Sequence, residues 1–339
     1  VKTNGKFTVI LQGDKLYKAE REIISGKKYE AGNRYTAEID NSSETMQWEE
    51  LANMSFTVKV DENLGFNIPF PTSGETPANI MVDWGDGSAL TIVNKGTTLS
   101  DGDGFNYEYA ETGEYAIAIY SDQVDETELQ IPKIKFWNNR DNNSNSSKLR
   151  LIGTPLLNTG TEDFSYCFYQ CSNLTSIPKG LFDKNTNVTS FWGCFQGCST
   201  LESIPGGLFD KNIEVEVFRG CFSNCTNLKE VPEGLFNNNK KATNFMSCFS
   251  FCSNVTLNKN IFSNEGNTDR FSGMNMLFNY CFQNAGEQNE NPGEAPELWK
   301  YKRGSSTWNT TGCFYNAKAT NLTSNNEYNT EWGTPLNWN

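Results

Sequence analysis

Apolar and polar positions follow two rhythms along this chain. Over residues 164–252 the apolar positions recur in one phrase, Phe-x-x-Cys-Phe-x-x-Cys with Leu or Val three residues later. It is written four times: Phe164–Cys167–Phe168–Cys171, Phe191–Cys194–Phe195–Cys198, Phe218–Cys221–Phe222–Cys225 and Phe245–Cys248–Phe249–Cys252. The steps 167→194→221→248 give a period of 27, which is the mark of stacked supersecondary units. Ahead of the repeats the rhythm is a period of two, in short stretches broken by Gly.

Counted from Phe164, the apolar residues Phe164, Cys167, Phe168, Cys171 and Leu174 fall at offsets 0, 3, 4, 7 and 10. At about 100° per residue this is an arc of about 120°, the width of a helix burying one face, so the spacing predicts one helix per repeat. Leu174-Thr175-Ser176-Ile177-Pro178, echoed at 201–205 and 228–232, predicts a very short strand closed by a proline. Gly180-Leu181-Phe182, with counterparts at 207–209 and 234–236, turns the chain and adds two core plugs. One helix and one short strand per repeat make a right-handed α/β coil. Beyond Cys252 the register loosens: Cys281-Phe282 and Cys313-Phe314 follow at spacings of 33 and 32, with Ala285 and Ala317 where the second Cys would stand. Trp332 and Trp338 suit a C-terminal cap.

Earlier in the chain, 7–11 (Phe-Thr-Val-Ile-Leu) and 35–39 (Tyr-Thr-Ala-Glu-Ile) read as strands, as do 56–60, 80–84 and 113–120. Trp84-Gly85-Asp86-Gly87 is a tight-turn signal. Asp101-Gly102-Asp103-Gly104 offers oxygens at alternate positions, but lacks EF-hand spacing and a closing Glu, and reads as a turn. Residues 138–147 form a polar run that buries nothing.

Composition narrows the function. The net charge is −13 at pH 7 without a Lys/Arg cluster, which argues against nucleic acid and anionic membrane surfaces. No apolar run approaches the ~18–20 residues of a transmembrane helix, and residues 1–5 carry no signal-type segment. The chain has no histidine, which removes Ser–His and Cys–His nucleophilic pairs and histidine metal ligands. All ten cysteines occupy repeat positions, eight of them paired at Cys-x3-Cys spacing, which disfavours zinc. Within one helical turn Cys167 and Cys171 would sit about 6 Å apart, a strained bridge, so free buried thiols are the simpler expectation over disulfides. No catalytic residue, metal or cofactor is expected.

The Leu-x-x-Ile-Pro-x-Gly-Leu-Phe phrase resembles leucine-rich repeats, and the Cys-Phe-x-x-Cys-x-x-Leu unit is similar to the BspA-type variant of Bacteroides-group surface proteins and of mycoplasma lipoproteins. The Trp-Gly-Asp-Gly turn with Tyr109 and Gly113-x-Tyr115 resembles the PKD domain, an immunoglobulin-like β-sandwich. The stretch 28–36 with Trp48 resembles the end of a fimbrillin-type β domain. Together these imply an α+β multidomain chain: a short β-rich segment (1–52), a PKD-like β-sandwich (53–135), a polar linker (136–148), and a leucine-rich-repeat-type solenoid with its cap (149–339). The resemblance further implies an exported, non-enzymatic protein at the cell surface, outward-facing on the outer membrane or extracellular. Its repeats would serve adhesion to a protein or glycan on a host or neighbouring cell, with the PKD-like domain as spacer. The alternative is a surface carbohydrate-binding component of a glycan-uptake system.

Aromatic residues outside the apolar arc are the binding candidates: Tyr166, Tyr169, Trp192, Phe251, Tyr280 and Tyr315. Such side chains stack on sugars or anchor protein partners, although these do not share one column of the repeat.

Overall fold

The structure, a computed structural model, describes residues 6–12, 16–22, 49–50, 52–69, 74–99, 104–136, 145–262 and 268–322. The expected strand at 35–39, the stretch 28–36 with Trp48, Asp101 to Asp103, most of the polar run, and Trp332 and Trp338 lie outside these residues.

At the N-terminal side, β1 (Lys6–Gln12) and β2 (Leu16–Glu22) pair antiparallel, and β3 (Glu49–Glu50) adds to β2. Next come β4 (Ala52–Val60), β5 (Gly65–Pro69), β6 (Gly74–Glu75), β7 (Ile80–Asp83), β8 (Thr91–Val93), β9 (Thr98–Leu99), β10 (Gly104–Glu108), β11 (Gly113–Ser121) and β12 (Leu149–Ile152). A five-stranded antiparallel sheet runs β12-β4-β11-β7-β8, while β5 pairs with β10 and β6 with β9. Alternate residues of the large sheet (Phe56, Val58, Ile117, Ile119, Val82) and of the β5–β10 pair (Phe66, Ile68, Phe105) are buried in one core, so the strands form two layers around it. Trp84 leads into the turn, where the Asp83 carboxylate accepts from the Gly85 N–H at 2.9 Å. The buried Tyr109 hydroxyl donates to the Trp84 carbonyl at 3.0 Å, locking that turn to the chain just after β10.

Among the described residues the repeats contain no α-helix, and the α/β coil with one helix per repeat is corrected to an all-β-and-turn solenoid. Among the described residues the only helical pieces are two 3₁₀ turns, Ser146–Lys148 and Leu298–Lys300. Each half of the phrase instead closes a four-residue turn: the Cys167 N–H donates to Phe164 O and the Cys171 N–H to Phe168 O, both at 3.2 Å. The third residue of each turn is left-handed, as at Tyr166 (φ 59) and Gln170 (φ 54), then Gly193 and Gly197 in the next repeat. A right-handed helix cannot contain such residues. The remaining N–H groups point along the solenoid: those of Phe164, Tyr166, Phe168 and Gln170 donate to Ser190, Trp192, Cys194 and Gln196 at 2.9, 2.8, 2.9 and 2.7 Å. Tandem turns therefore satisfy the backbone rung to rung, where a helix would have satisfied it within itself.

Stacking follows from this register. Phe136, Phe168, Phe195, Phe222, Phe249, Phe282 and Phe314 form one column of near-parallel rings with centroids 5.2–5.7 Å apart. Phe164, Phe191, Phe218, Phe245 and Phe278 form a second, and Phe182, Phe209, Phe236 and Phe262 a third. A one-residue-wide parallel ladder joins Asp163, Ser190, Val217, Asn244, Leu277 and Asn309, widening only where β13 (Met276–Leu277) meets β14 (Trp308–Asn309). All ten cysteines are buried and unpaired.

A polar column runs through the same interior. The Asn212 amide donates to Phe182 O (3.3 Å) and Asn185 O (2.8 Å), and the Asn239 amide to Phe209 O (3.0 Å) and Asn212 O (2.8 Å). Where the next asparagine would stand, the Arg270 guanidinium takes over, donating to Phe236 O, Asn237 O and Asn239 O at 2.8, 3.2 and 3.2 Å. At the other end the solenoid grows out of the two-layer core. Phe136 packs on Phe56 (4.8 Å) and Phe66 (6.5 Å) while heading the first ring column, and Arg150 of β12 accepts from the Thr175 N–H at 3.2 Å.

Candidate binding face

Because Phe and Cys of each tandem turn point inward, its other four residues form the outer side of the turn, where Ser223, Ser250 and Asn279 are buried and most of the rest are partly or fully exposed. Every aromatic residue classed as exposed among the described residues belongs to this face: Trp192, Phe251, Tyr280 and Tyr315, at 38–41% exposure. Tyr166 and Tyr169 lie on it as well, half-buried. The face also differs in charge. Between the inward residues of the turns from Ser165 to Asn316 stand Tyr, Trp, Gln, Asn, Ser, Gly, Thr, Met and Phe, no Asp or Glu, and a single cation, Arg219. In a chain with 41 acidic residues this is a marked exclusion.

The structure brings three of the candidate aromatics together. The Tyr166 ring meets Tyr169 edge-on at 5.4 Å and Trp192 at 5.3 Å. Cations close the group at both ends: Lys135 Nζ lies 5.6 Å from the Tyr166 centroid, and the Arg219 guanidinium 4.8 Å from that of Trp192. Burial raises the Tyr166 phenol above its ordinary value, with the Arg219 charge pulling the other way. Burial likewise holds the Lys135 ammonium below its usual range. Phe251, Tyr280 and Tyr315 sit farther along, on three consecutive rungs.

Two of these tyrosines have a seat. A Cβ added to Gly193 would come within 2.7 Å of Tyr166 Cε1, and one added to Gly312 within 2.6 Å of Tyr280 Cε1. Each ring thus lies across the glycine of the following rung. Tyr166, Phe251 and Tyr280 themselves hold positive φ (59°, 61° and 56°), where glycine is at ease and a bulky residue is strained. Gly193, Gly197 and Gly220 obey that preference in the same columns, and Asn224, Asn284 and Asn316 do so nearly as well.

Sequence reasoning missed Arg219 and Lys135. The signal for Arg219 was its column, shared with Trp192 and Met246 once the phrase is read as paired turns. Among the described residues no group of three His, Cys, Asp or Glu is placed to hold a metal ion, and no helix is long and apolar enough to cross a membrane. Burial pushes the thiols up, Cys167 and Cys252 to about 12, so they stay protonated and poorly nucleophilic. Compared with protein-family models, curated proteins and solved structures, the chain matches none of them.

Proposed function

We propose that this chain is a non-enzymatic recognition protein of the cell surface, which binds a partner through the tandem-turn face of its solenoid. The observation that carries this reading is the composition of that face: all the aromatics exposed among the described residues, one arginine and no carboxylate, in a strongly acidic protein. Interface cores are depleted of Asp, Glu and Lys and enriched in Tyr, Trp, Met and Arg. Antibody paratopes likewise combine Tyr, Ser, Gly and Asn with Trp and Arg at their hot spots. The strain at Phe251 and Tyr280 points the same way. An exposed ring held at positive φ gains no core burial, so its position serves something outside the fold. The resemblance of the Cys-Phe-x-x-Cys phrase to BspA-type proteins supports export and display. The resemblance of the Trp-Gly-Asp-Gly turn to PKD domains supports the two-layer unit as a spacer.

A carbohydrate reading has one observation of its own, Tyr280, whose ring rests on Gly312 while remaining 41% exposed. The test is a panel of host matrix proteins beside a glycan array, probed with the full chain and with the combined Trp192→Ala, Phe251→Ala and Tyr280→Ala variant. Binding to a protein that falls at least about tenfold in the variant supports the proposal. Glycan binding alone turns it to the second reading, and binding that the variant retains in full removes the face.

A further inference from the structure

We propose that the N-terminal end of the tandem-turn face docks an acidic segment of a protein partner, whose carboxylate is held by Arg219 on the Trp192 ring. This rests on the reading of the face as the recognition surface and gives it a ligand chemistry. Four successive rungs contribute one side chain each, in the order Lys135, Tyr166, Trp192, Arg219, with separations of 5.6, 5.3 and 4.8 Å. The Tyr166 and Trp192 rings are tilted 48° to one another, and each has a cation over one face, Lys135 over Tyr166 and Arg219 over Trp192. The flanking cations favour an anion and cover ring face on which a pyranose would stack.

Arg219 is exposed, and among the described residues no carboxylate forms an ion pair with it. Elsewhere on the solenoid, three exposed lysines are matched by acids, Lys229 by Glu202, Lys241 by Glu214 and Lys259 by Glu294, while Lys179, Lys211 and Lys240 have no ion pair among the described residues. A guanidinium already stacked on an indole has its N–H fork set sideways for a carboxylate, so little rotamer freedom is lost on binding. The chain as a whole, at net charge −13, repels an acidic partner, which leaves this cationic end as the place where one is accepted. A protein segment fits better than an acidic sugar, because the neighbouring turn residues Gln196, Asn224 and Met246 suit a peptide backbone and its side chains.

The experiment selects a phage-displayed random peptide library on the immobilised full chain, then measures synthetic copies of the enriched peptides by fluorescence anisotropy. Enriched peptides should carry Asp or Glu beside an apolar residue and bind more weakly as salt rises. They should lose about tenfold or more in affinity on Arg219→Ala or Trp192→Ala. Arg219→Lys, which keeps the charge and loses the fork, should recover only part of that loss. Lys229→Ala, on another face, should leave binding unchanged, and circular dichroism checks that each variant is folded. Enrichment of neutral or basic peptides, no enrichment, or full binding by Arg219→Ala overturns the proposal. So does tighter binding to heparin or hyaluronan that is lost on Arg219→Ala, which would make the ligand an acidic glycan. If binding survives Arg219→Ala but falls on Phe251→Ala or Tyr280→Ala, the anion site is wrong and the face stands; if it survives all three, both are wrong.

Discussion

Phe251 is the residue at which stability and recognition separate most cleanly. At φ 61° its backbone carries the strain of a left-handed bulky residue, about 1–2 kcal/mol, and its ring is exposed. Replacement by glycine removes that strain and adds about 0.5–1 kcal/mol of unfolded-state entropy. Phe251→Gly and Tyr280→Gly should therefore leave unfolding free energy unchanged or raise it by up to about 1 kcal/mol, while partner binding weakens. Urea titration checks this, and a loss beyond about 1 kcal/mol in either variant would mean the ring is structural. Gly193 is the opposite case. With φ 59° and Tyr166 Cε1 2.7 Å from a would-be Cβ, Gly193→Ala meets both strain and a clash. It should cost about 2 kcal/mol and shift the Tyr166 ring, read as a change in Trp192 fluorescence.

At the scale of the repeat, the asparagine column holds rungs together where the outer face cannot. Asn212→Ala leaves Asn185 O without its buried donor, while Phe182 O keeps the Asn185 N–H at 2.9 Å. It should lower stability by about 2–3 kcal/mol, with faster amide exchange concentrated in the rungs on either side. This column was visible in the sequence as Phe-x-x-Asn at Phe182–Asn185, Phe209–Asn212 and Phe236–Asn239, yet its role needed coordinates, since nothing local requires a buried amide there. The inward set of Phe, Cys and Leu was legible, because burial follows from apolar side chains recurring in register. Its conformation was not. Two abutting four-residue turns place inward residues at 0, 3, 4 and 7, the same offsets as a helix face. Only Gly193, Gly197, Gly220 and Gly312 in the third place of a turn distinguish the two, being poor inside a helix and at ease at positive φ. The binding candidates were legible one by one as non-core aromatics. Their common face was hidden, because helical spacing scatters what paired turns gather.

For the whole molecule, one continuous core links the two-layer unit to the last rung, and Phe136 is its hinge point. Phe136→Ala removes the ring shared by Phe56, Phe66 and Phe168. It should cost about 3–5 kcal/mol and split one denaturation transition into two. The thiols set an alkaline limit. Their folded values are raised by burial above the ordinary 9.0, so the unfolded chain loses protons first. Stability should be at its full value below about pH 9 and fall as pH rises toward the folded values, by about 1.4 kcal/mol per pH unit for each thiol. A pH series of denaturation midpoints reads this directly. A denatured, non-reduced sample should titrate all ten thiols, and a count of two or fewer would mean disulfides. The 27-residue register also has a genetic consequence. Excising 191–217 would rejoin every ring column and backbone ladder in phase and set Tyr166 against Gly220, itself at positive φ. An in-frame loss of one coding repeat would thus yield a folded protein with a rewritten outer face. Selection could then reshuffle what this surface recognises without solving the folding problem again.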